Sequence, residues 1–277
     1  MHDTEHVRSL QKAHSEYIES RYRSLASQPG NPAGIEITSV GNTPVFLRNE
    51  SRLENRAILS GNESEAELIA ITKLFQDKQV DGYLELNPGN FYPSEPFSWD
   101  SKVLPVLLGL GHRPGMFRCV WHTQDADCVR TCDLDAPEIR SFSVAQAEEF
   151  TELKLQLETP APENIEANRS NTLLTFTDRW RHYIGFEDGE PVSLSSLFMG
   201  SEFGYLAWGF TRPEHRRKGH HRAHVVARAT DAFALGARAA FSVTDFGIPS
   251  SLSLQKCGFS LAYNYLMIEV KGSAEES

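Results

Sequence analysis

The protein has 277 residues, of which 40% are hydrophobic and 23% are charged, a composition typical of a folded globular protein and not of a disordered one. The length fits one to two domains. A formal net charge of −10 argues against a nucleic-acid or anionic-membrane binder, because such proteins need extended positive surface.

Three features of the sequence predict a cytoplasmic protein. The start, MHDTEHVRSL, has no apolar segment behind a basic one, so no signal peptide is expected. No apolar run approaches the roughly 18 residues that a membrane helix needs. Four cysteines are too few for a disulfide framework.

Cys119, His122, Cys128 and Cys132 resemble a zinc-ligand spacing. Cys119 and His122 lie in a predicted strand, however, where side chains three positions apart point to opposite faces, so no metal site is predicted.

The first half of the chain predicts a long helix followed by alternating strands and helices. The helix covers the first ~27 residues, where apolar positions recur along one side, and QPGNPAG ends it. Strands are predicted in GIEITSV, TPVFLRN, GYLELNPG and MFRCVWHTQ, and helices in ESEAELIAITKLFQDKQ and WDSKVLPVLLGLG. DADCVRTCDLDAPE lacks periodicity and is predicted to be a linker.

The second half predicts a further series of strands and helices. Ser143 and Gln146 form a capping-box pattern at the start of a helix that TPAPEN ends. Asp188-Gly189 marks the turn of a hairpin in RHYIGFEDGEPVSLSSLFMG. Strands are then predicted in FGYLAWGFT, RAAFSVTDF and FSLAYNYLMIEV, and helices in HHRAHVVARATDAFALGA and PSSLSLQKC. Because strand, short helix, glycine and strand recur in both halves, the pattern indicates two similar α/β units.

The stretch HRRKGHHR, residues 215–222, concentrates cationic side chains around Gly219. It follows a predicted strand and leads into a predicted helix, whose first amides are unpaired and carry partial positive charge. Phosphate is the ligand that such a helix start favours. The pattern is neither a Walker motif nor a dinucleotide fingerprint, and by itself it is also compatible with a solvated basic helix start.

The surrounding sequence resembles the GNAT superfamily of acyl-CoA-dependent N-acyltransferases. GFTRPEHRRKGHHRAHVV is similar to motif A of that superfamily, with Arg216 and Gly219 at its first two defining positions. Its pattern Pro-Glu-x-Arg-x-x-Gly-His is also similar to the glycine N-acyltransferase branch. SSLSLQKCGF is similar to motif B, which ends in Gly258-Phe259. The resemblance implies an α/β fold of two tandem GNAT-like units with mostly antiparallel, helix-flanked sheets. Residues 1–135 would form a degenerate N-terminal domain and residues 136–277 the acyltransferase domain.

The resemblance implies acetyl-CoA, or another acyl-CoA, as the acyl donor. Its pantetheine would pair with the fourth strand near Phe210 and Thr211, and hydroxyl contacts could come from Ser250 and Ser251. Its pyrophosphate would lie on the loop and helix start, where the contacts are expected from Arg216, Arg217, Lys218, Gly219, His220, His221 and Arg222. The expected acceptor is a primary amine of a small molecule or an amino acid.

The sequence departs from the superfamily pattern at several positions. His221 stands where glycine or alanine is usual, Gly247 where motif B has asparagine, and Leu254 where a tyrosine often protonates the thiolate. The position of the usual glutamate base is occupied by Tyr205, a phenol with a pKa near about 10 and hence a poor base. Candidate bases are therefore Tyr205, Glu202 and Glu187, and the sequence leaves the choice among them open.

In the first half, the equivalent loop ILSGNESEAEL is acidic and contains no basic residue, so one acyl-CoA site per chain is expected. Three alternatives remain open: a catalytically retired CoA-binding sensor or scaffold, a protein N-acetyltransferase, and a nucleic-acid-binding helix. No nucleic-acid or membrane partner is expected. The oligomeric state is open, with a homodimer as one option.

Overall fold

The computed structural model of the protein describes residues 4–49, 54–87, 102–130 and 137–272. In these ranges the helices are α1 (Thr4–Ala26), α2 (Glu65–Asp77), α3 (Val103–Gly109), α4 (Ala126–Arg130), α5 (Ala147–Glu158), α6 (Ile165–Leu173), α7 (His220–Ala234) and α8 (Pro249–Lys256). The strands are β1 (Glu36–Val40), β2 (Thr43–Leu47), β3 (Arg56–Leu59), β4 (Gly82–Leu86), β5 (Arg113–Thr123), β6 (Glu138–Phe142), β7 (Trp180–Glu187), β8 (Glu190–Met199), β9 (Phe203–Thr211), β10 (Ala239–Asp245) and β11 (Ser260–Val270).

The chain divides into two compact units, one formed by Met1–Cys119 with Ala262–Ser277 and the other by Val120–Leu261. The division falls within β5 and again within β11. The predicted domain boundary, after residue 135, falls within residues 131–136, which lie outside the described chain. It stays a prediction.

In the first unit the strand order is β1-β2-β3-β4-β11, followed by the part of β5 up to Cys119. β3 and β4 are parallel and are joined by α2. Ser64 caps α2 by accepting from the amide of Glu67 at 3.3 Å, and the Glu67 carboxylate accepts from the amide of Ser64 at 2.8 Å. Leu68, Ile71 and Phe75 then fall on one face of the helix and are fully buried against the sheet.

The last strand of the chain completes this first sheet. β11 pairs antiparallel with β4 from Leu266↔Leu86 to Val270↔Gly82. Alternate residues of β11, Leu266, Ile268 and Val270, are buried in the same core as the apolar face of α2. The first unit is therefore built from both ends of the sequence.

The second unit begins with an antiparallel series β6-β7-β8-β9, followed by α7 and by β10 parallel to β9. The predicted hairpin is confirmed: Asp188 and Gly189 have φ values of 52° and 82°, the left-handed pair that a two-residue hairpin turn needs. The capping box between Ser143 and Gln146 is also present. It opens a short 3₁₀ turn ahead of α5, and Thr159 ends α5 in the left-handed conformation.

Three expectations need correction. The segment predicted as a linker contains a helix, α4. Helix α6 was not predicted, because its sequence IEANRSNTL has little apolar periodicity and Thr172 is its only buried residue. Strand β3 was also not predicted. The other predicted strands and helices are present over the described residues, while the ends of GYLELNPG and WDSKVLPVLLGLG at residues 88–89 and 99–101 lie outside them. The mixed α/β class with mostly antiparallel strands is confirmed.

None of the helices in the described ranges is both long and apolar enough to cross a membrane. Among the same residues, no cluster of three histidine, cysteine or acidic side chains could hold a metal ion. Cys132, part of the zinc-like spacing, lies outside the described chain.

Candidate functional site

The two parallel strands β9 and β10 pair over only three residues. Their ladder runs from Ala239↔Phe203 to Phe241↔Tyr205, and just beyond it the Ser242 hydroxyl still donates to the carbonyl of Leu206 at 3.1 Å. Each strand then continues without the other, β9 to Thr211 and β10 to Asp245. The strands therefore diverge, and the part of β9 that follows Ala207 borders an opening, which we call the wedge.

A bulge interrupts β9 at the start of the wedge. The register with β8 shifts there, because Ser196 opposes Ala207 while Ser195 opposes Gly209. Trp208 is the extra residue, and its φ of 44° is unusual for a residue with a side chain. Its indole lies against Trp180 with ring centroids 5.2 Å apart. The bulge thus changes the direction of the β9 backbone just beyond the point where β9 and β10 stop pairing.

The register of β8 and β9 fixes which amides of β9 face the wedge. The amide of Arg212 donates to the carbonyl of Val192 at 3.0 Å, so this pair is a hydrogen-bonded one. Because such pairs alternate along an antiparallel ladder, the amides of Gly209 and Thr211 point away from β8, toward the wedge. Phe210 bonds to β8 instead. Of the two residues predicted to pair with pantetheine, Thr211 has an amide that faces the wedge and Phe210 does not. The Gly209 amide, which the sequence analysis did not name, also faces the wedge.

The loop after β9 presents a row of backbone amides. A 3₁₀ turn, Pro213–His215, is followed by Arg217 with φ 66° and Gly219 with φ 90°, both left-handed, and α7 begins at His220. In this part of the described chain, the amides of residues 217–221 donate to no backbone carbonyl and to no side chain. Consecutive unpaired amides at a helix start form an anion-binding site.

Charged side chains surround this loop. Arg216 and Arg217 are exposed, and Arg216 Nε donates to the carbonyl of Thr211 at 3.2 Å. The Glu187 carboxylate, at the end of β7, accepts from Lys218 at 2.7 Å and contacts His215 Nδ1 at 2.5 Å. These two hydrogen bonds lower the pKa of Glu187 to about 2. Lys218 is thus already paired, and the arginines carry the available positive charge.

Two histidines of α7 next to the loop are buried. His220 and His224 are each 2% exposed. His224 Nδ1 lies 2.7 Å from Ser195 Oγ, and its Nε2 lies 2.9 Å from Ser193 Oγ. Burial lowers the pKa of His220 and lowers that of His224 well below its usual value. Both are therefore neutral at neutral pH and act as hydrogen-bonding groups between α7 and β8.

His221 occupies the motif position where a small residue was expected. A Cβ built on Gly209 would lie 3.9 Å from Cδ2 of His221, so the imidazole lies over the open part of β9. Its Nδ1 is buried and has no hydrogen-bond partner among the described residues. Burial lowers the pKa of His221 to about 4. The side chain is hence a neutral group with one unused nitrogen beside the wedge.

The predicted catalytic residues are not brought together. Tyr205 is 8% exposed and packs on Phe241 with ring centroids 4.9 Å apart. Glu202 precedes β9 and pairs with Arg238 at 3.2 Å. At about 3.3 Å per residue it lies roughly 20 Å along the strand from Trp208. Glu187 belongs to the loop contacts described above.

The two predicted serines at the start of α8 differ in their surroundings. Ser251 is 7% exposed, and its hydroxyl lies 3.3 Å from Oγ1 of Thr244, which accepts from Trp121 Nε1 at 2.9 Å. The Ser250 hydroxyl is buried without a partner among the described residues. Ser250 is therefore the one that retains a hydrogen-bonding group for a ligand.

The equivalent loop of the first unit is filled by its own carboxylates. Between β3 and α2, Glu63 accepts from the amide of Ser60 at 2.6 Å and from that of Gly61 at 3.0 Å. The ladder of β3 and β4 extends to the last residue of both strands, Leu59↔Leu86. In the described part of this loop the amides of Ser60 and Gly61 are thus occupied, and β3 and β4 stay paired to their ends.

No protein-family model matches the sequence, and no curated protein matches it. Solved structures do resemble the fold. A tandem GNAT protein from the clavulanic acid biosynthesis pathway has a TM-score of 0.62 at 12% identity, over 95% of this chain and 97% of that one. A functionally unknown conserved protein from Staphylococcus epidermidis has a TM-score of 0.60 at 10% identity, over 91% and 100% of the two chains.

A GCN5-related N-acetyltransferase from Kribbella flavida has a TM-score of 0.58 at 16% identity, over 93% of this chain and 97% of that one. Identities this low establish the fold alone. The chain therefore has the fold of GCN5-related N-acetyltransferases, and one of its structural neighbours carries that fold in tandem.

Proposed function

We propose that the protein is an acetyl-CoA-dependent N-acyltransferase whose acceptor is a primary amine of a small molecule or an amino acid. The observation that carries this proposal is the conjunction of two features in one unit: the wedge between β9 and β10, and the unpaired amides of residues 217–221 at its rim. A polyphosphate linked to an extended arm fits both features together. The fold supports the same conclusion.

The residues present fit this carrier. The amides of Arg217 to His221, with the exposed guanidinium groups of Arg216 and Arg217, would hold the diphosphate. Only a residue that tolerates φ 90° suits the position of Gly219. The amides of Gly209 and Thr211 would pair with the pantetheine arm. The unused Nδ1 of His221 and the buried hydroxyl of Ser250 offer two further polar contacts.

Acetyl-CoA, when bound, supplies a thioester carbonyl that the amine nitrogen attacks, so that a C–N bond forms, the C–S bond breaks and the electron pair leaves on sulfur. The Gly209 amide is oriented to donate to the oxygen on which negative charge develops. The amine must also lose a proton. Tyr205 is buried and Glu202 is distant from Trp208, so neither has an environment that favours the role of base, and the choice of base stays open.

A second candidate function is a CoA-binding protein without catalysis. It is favoured by Leu254, which is 1% exposed at the position where the superfamily has a proton donor, and by the burial of Tyr205. In either case we propose one carrier site per chain, because the carboxylate of Glu63 occupies the corresponding amides of the first unit.

Two measurements test the proposal. Mass spectrometry follows isotope-labelled acetyl transfer from acetyl-CoA across a panel of small amines, amino acids and peptides. Calorimetry measures the affinity and stoichiometry of CoA. We expect one CoA per chain and transfer to at least one small amine. Binding without transfer would favour the second candidate, transfer only to peptides would indicate a protein acceptor, and absence of CoA binding would refute both candidates.

The chain provides a matched charge control. Replacing Arg216 and Arg217 together by alanine should weaken CoA binding at least about tenfold, because charge-assisted contacts to phosphate are lost. Arg238→Ala removes one arginine from the opposite end of β9, where the side chain is 66% exposed, and should leave the affinity unchanged. Equal losses in both variants would indicate a general charge effect and count against a local site.

A further inference from the structure

Arg228 of α7 is a buried cation bound only by backbone carbonyls. It is 2% exposed. Its Nε donates to the carbonyl of His224 at 2.9 Å, and its Nη1 donates to the carbonyls of Ala207, Trp208 and Ser196 at 2.9, 3.0 and 3.3 Å. It forms no ion pair with a carboxylate of the described chain. Three of its four acceptors therefore belong to the bulge of β9 and to the residue that faces it on β8.

A buried arginine without an acidic partner is unusual, because removing a charge from water is costly unless another charge compensates it. Burial lowers the pKa of Arg228 to about 10, so the side chain remains a cation at neutral pH. An apolar residue of similar length would fill the same space without this cost. The cation must therefore have a use at the bulge beyond packing.

The bulge carbonyls explain that use. In a regular strand, successive carbonyls point in opposite directions, yet those of Ala207 and Trp208 converge on one nitrogen. In a trans peptide the N–H points opposite to the C=O. Because Arg228 holds the Trp208 carbonyl on the β8 side, the amide of Gly209, in the same peptide unit, points toward the wedge. This direction agrees with the one derived independently from the β8–β9 register.

We propose that Arg228 is a positioning residue that holds the bulge of β9 so that the Gly209 amide faces, and is polarised toward, the thioester oxygen. This inference rests on the proposed acyl transfer. A cation on the carbonyl side of a peptide draws electron density from its N–H and makes it a stronger donor. A donor that is fixed before reaction costs no reorganisation when charge develops on oxygen. Arg228 itself touches neither the amine nor the carrier.

The test compares Arg228→Met, which removes the charge at similar length, with Arg228→Lys, which keeps the charge but not the planar fork. Tyr183→Phe is the matched control, since the Tyr183 hydroxyl also ties the sheet to α7, by donating to Asp231 at 2.8 Å, but makes no hydrogen bond to the bulge among the described residues. The readouts are kcat and KM with the acceptor found in the amine panel, CoA affinity by calorimetry, and hydrogen exchange of the Phe210 amide, which bonds to β8 next to the bulge.

For Arg228→Met we expect kcat to fall about 100-fold, the loss typical of one misplaced oxyanion donor, with CoA affinity changed by less than about threefold. Exchange of the Phe210 amide should accelerate at least about tenfold, because its hydrogen bond to β8 lies next to the bulge. Should Arg228→Met fail to fold, the same comparison is made on Arg228→Lys, for which a smaller loss of kcat is expected. Tyr183→Phe should leave kcat and the exchange rate unchanged.

A folded Arg228→Met protein, or a folded Arg228→Lys protein in its place, with wild-type kcat and wild-type exchange would overturn the inference. A kcat loss equal to that of Tyr183→Phe would do the same, because it would reduce Arg228 to a helix anchor. The proposed function fails differently: a wild-type protein that transfers no acetyl group refutes that function, and with it a catalytic use of the bulge. In that case exchange of the Phe210 amide still decides whether Arg228 holds the backbone in place.

Discussion

At the scale of single residues, burial decides what a histidine can do, and the sequence does not reveal burial. HRRKGHHR contains seven potentially cationic side chains around Gly219 and therefore predicts a strongly basic loop. In the structure, burial lowers the pKa values of His220 and His221, and Lys218 is paired with Glu187. Arg216 and Arg217 are exposed, and their contact with a phosphate stays a prediction.

The clearest titration is expected from His182 in the second unit. It is fully buried between Phe150 and Phe176, with Nδ1 2.8 Å from Ser196 Oγ. Burial lowers the pKa of His182 from 6.5 to about 4. Between these two values the unfolded chain binds more protons than the folded one, so the free energy of unfolding should fall as pH falls from 6.5 to about 4. Above pH 6.5 this contribution is complete and constant.

His182→Gln isolates that contribution, because glutamine keeps a hydrogen-bonding group and does not titrate. Acidification across this window should lower the free energy of unfolding of the variant by up to about 3 kcal/mol less than that of the wild type. Urea unfolding at a series of pH values measures the difference. Parallel stability curves for the two proteins over the whole window would show that His182 does not titrate as its burial implies.

Gly219 and Gly236 lie at the two ends of α7 with the same φ of 90°, which gives a matched pair of substitutions. Alanine at either position should cost about 1 kcal/mol of folding free energy, since a Cβ is disfavoured in the left-handed region. Only Gly219→Ala should also weaken CoA binding, because only Gly219 lies in the loop of unpaired amides. Calorimetry with CoA, alongside thermal unfolding, separates the two effects. An equal loss of affinity in both variants would place the site elsewhere.

At the scale of elements, local signals were sufficient where a few adjacent residues determine the structure. Asp188-Gly189 specifies its turn because both residues accept left-handed φ values, and Ser143 with Gln146 forms its capping box within four residues. The wedge could not be predicted in the same way. It depends on β10 leaving β9 after Phe241↔Tyr205, and on a bulge whose register becomes visible only when β8 is paired. Arg228 reads as one more helical residue until the carbonyls that it binds are known.

The contrast between the two helix starts shows how an element becomes a binding site. α2 begins with Ser64 and acidic side chains that satisfy its own loop amides. α7 begins at His220, after the N-cap Gly219, which has no side chain to cap it, and the backbone amides of residues 217–221 donate to no group in the described chain. Because the sequence ILSGNESEAEL is acidic, it predicts that a polyanion avoids this loop. The structure adds that the carboxylates of this loop also occupy its amides.

At the scale of the whole molecule, the order of elements along the chain is not their order in the first sheet. β11 is the last strand of the sequence, yet it pairs with β4, about 180 residues earlier. Hydrophobic alternation predicts that FSLAYNYLMIEV is a strand, but it does not reveal the partner. The local pattern therefore predicts the strand. Its position next to β4 depends on the burial of Leu266, Ile268 and Val270 in the same core as α2.

This arrangement predicts that a substitution near the C-terminus destabilises the N-terminal unit. Ile268 is fully buried, whereas Leu261, on the same strand, is 41% exposed. Ile268→Ala should lower the free energy of unfolding by about 2–5 kcal/mol, because it removes buried methyl groups and leaves a cavity. Leu261→Ala should change it by less than about 0.5 kcal/mol. Hydrogen exchange should show faster opening of the amides of Gly82–Leu86 in the first variant only. If those amides keep their protection in a destabilised Ile268→Ala protein, β11 does not hold β4 in solution as it does in the structure.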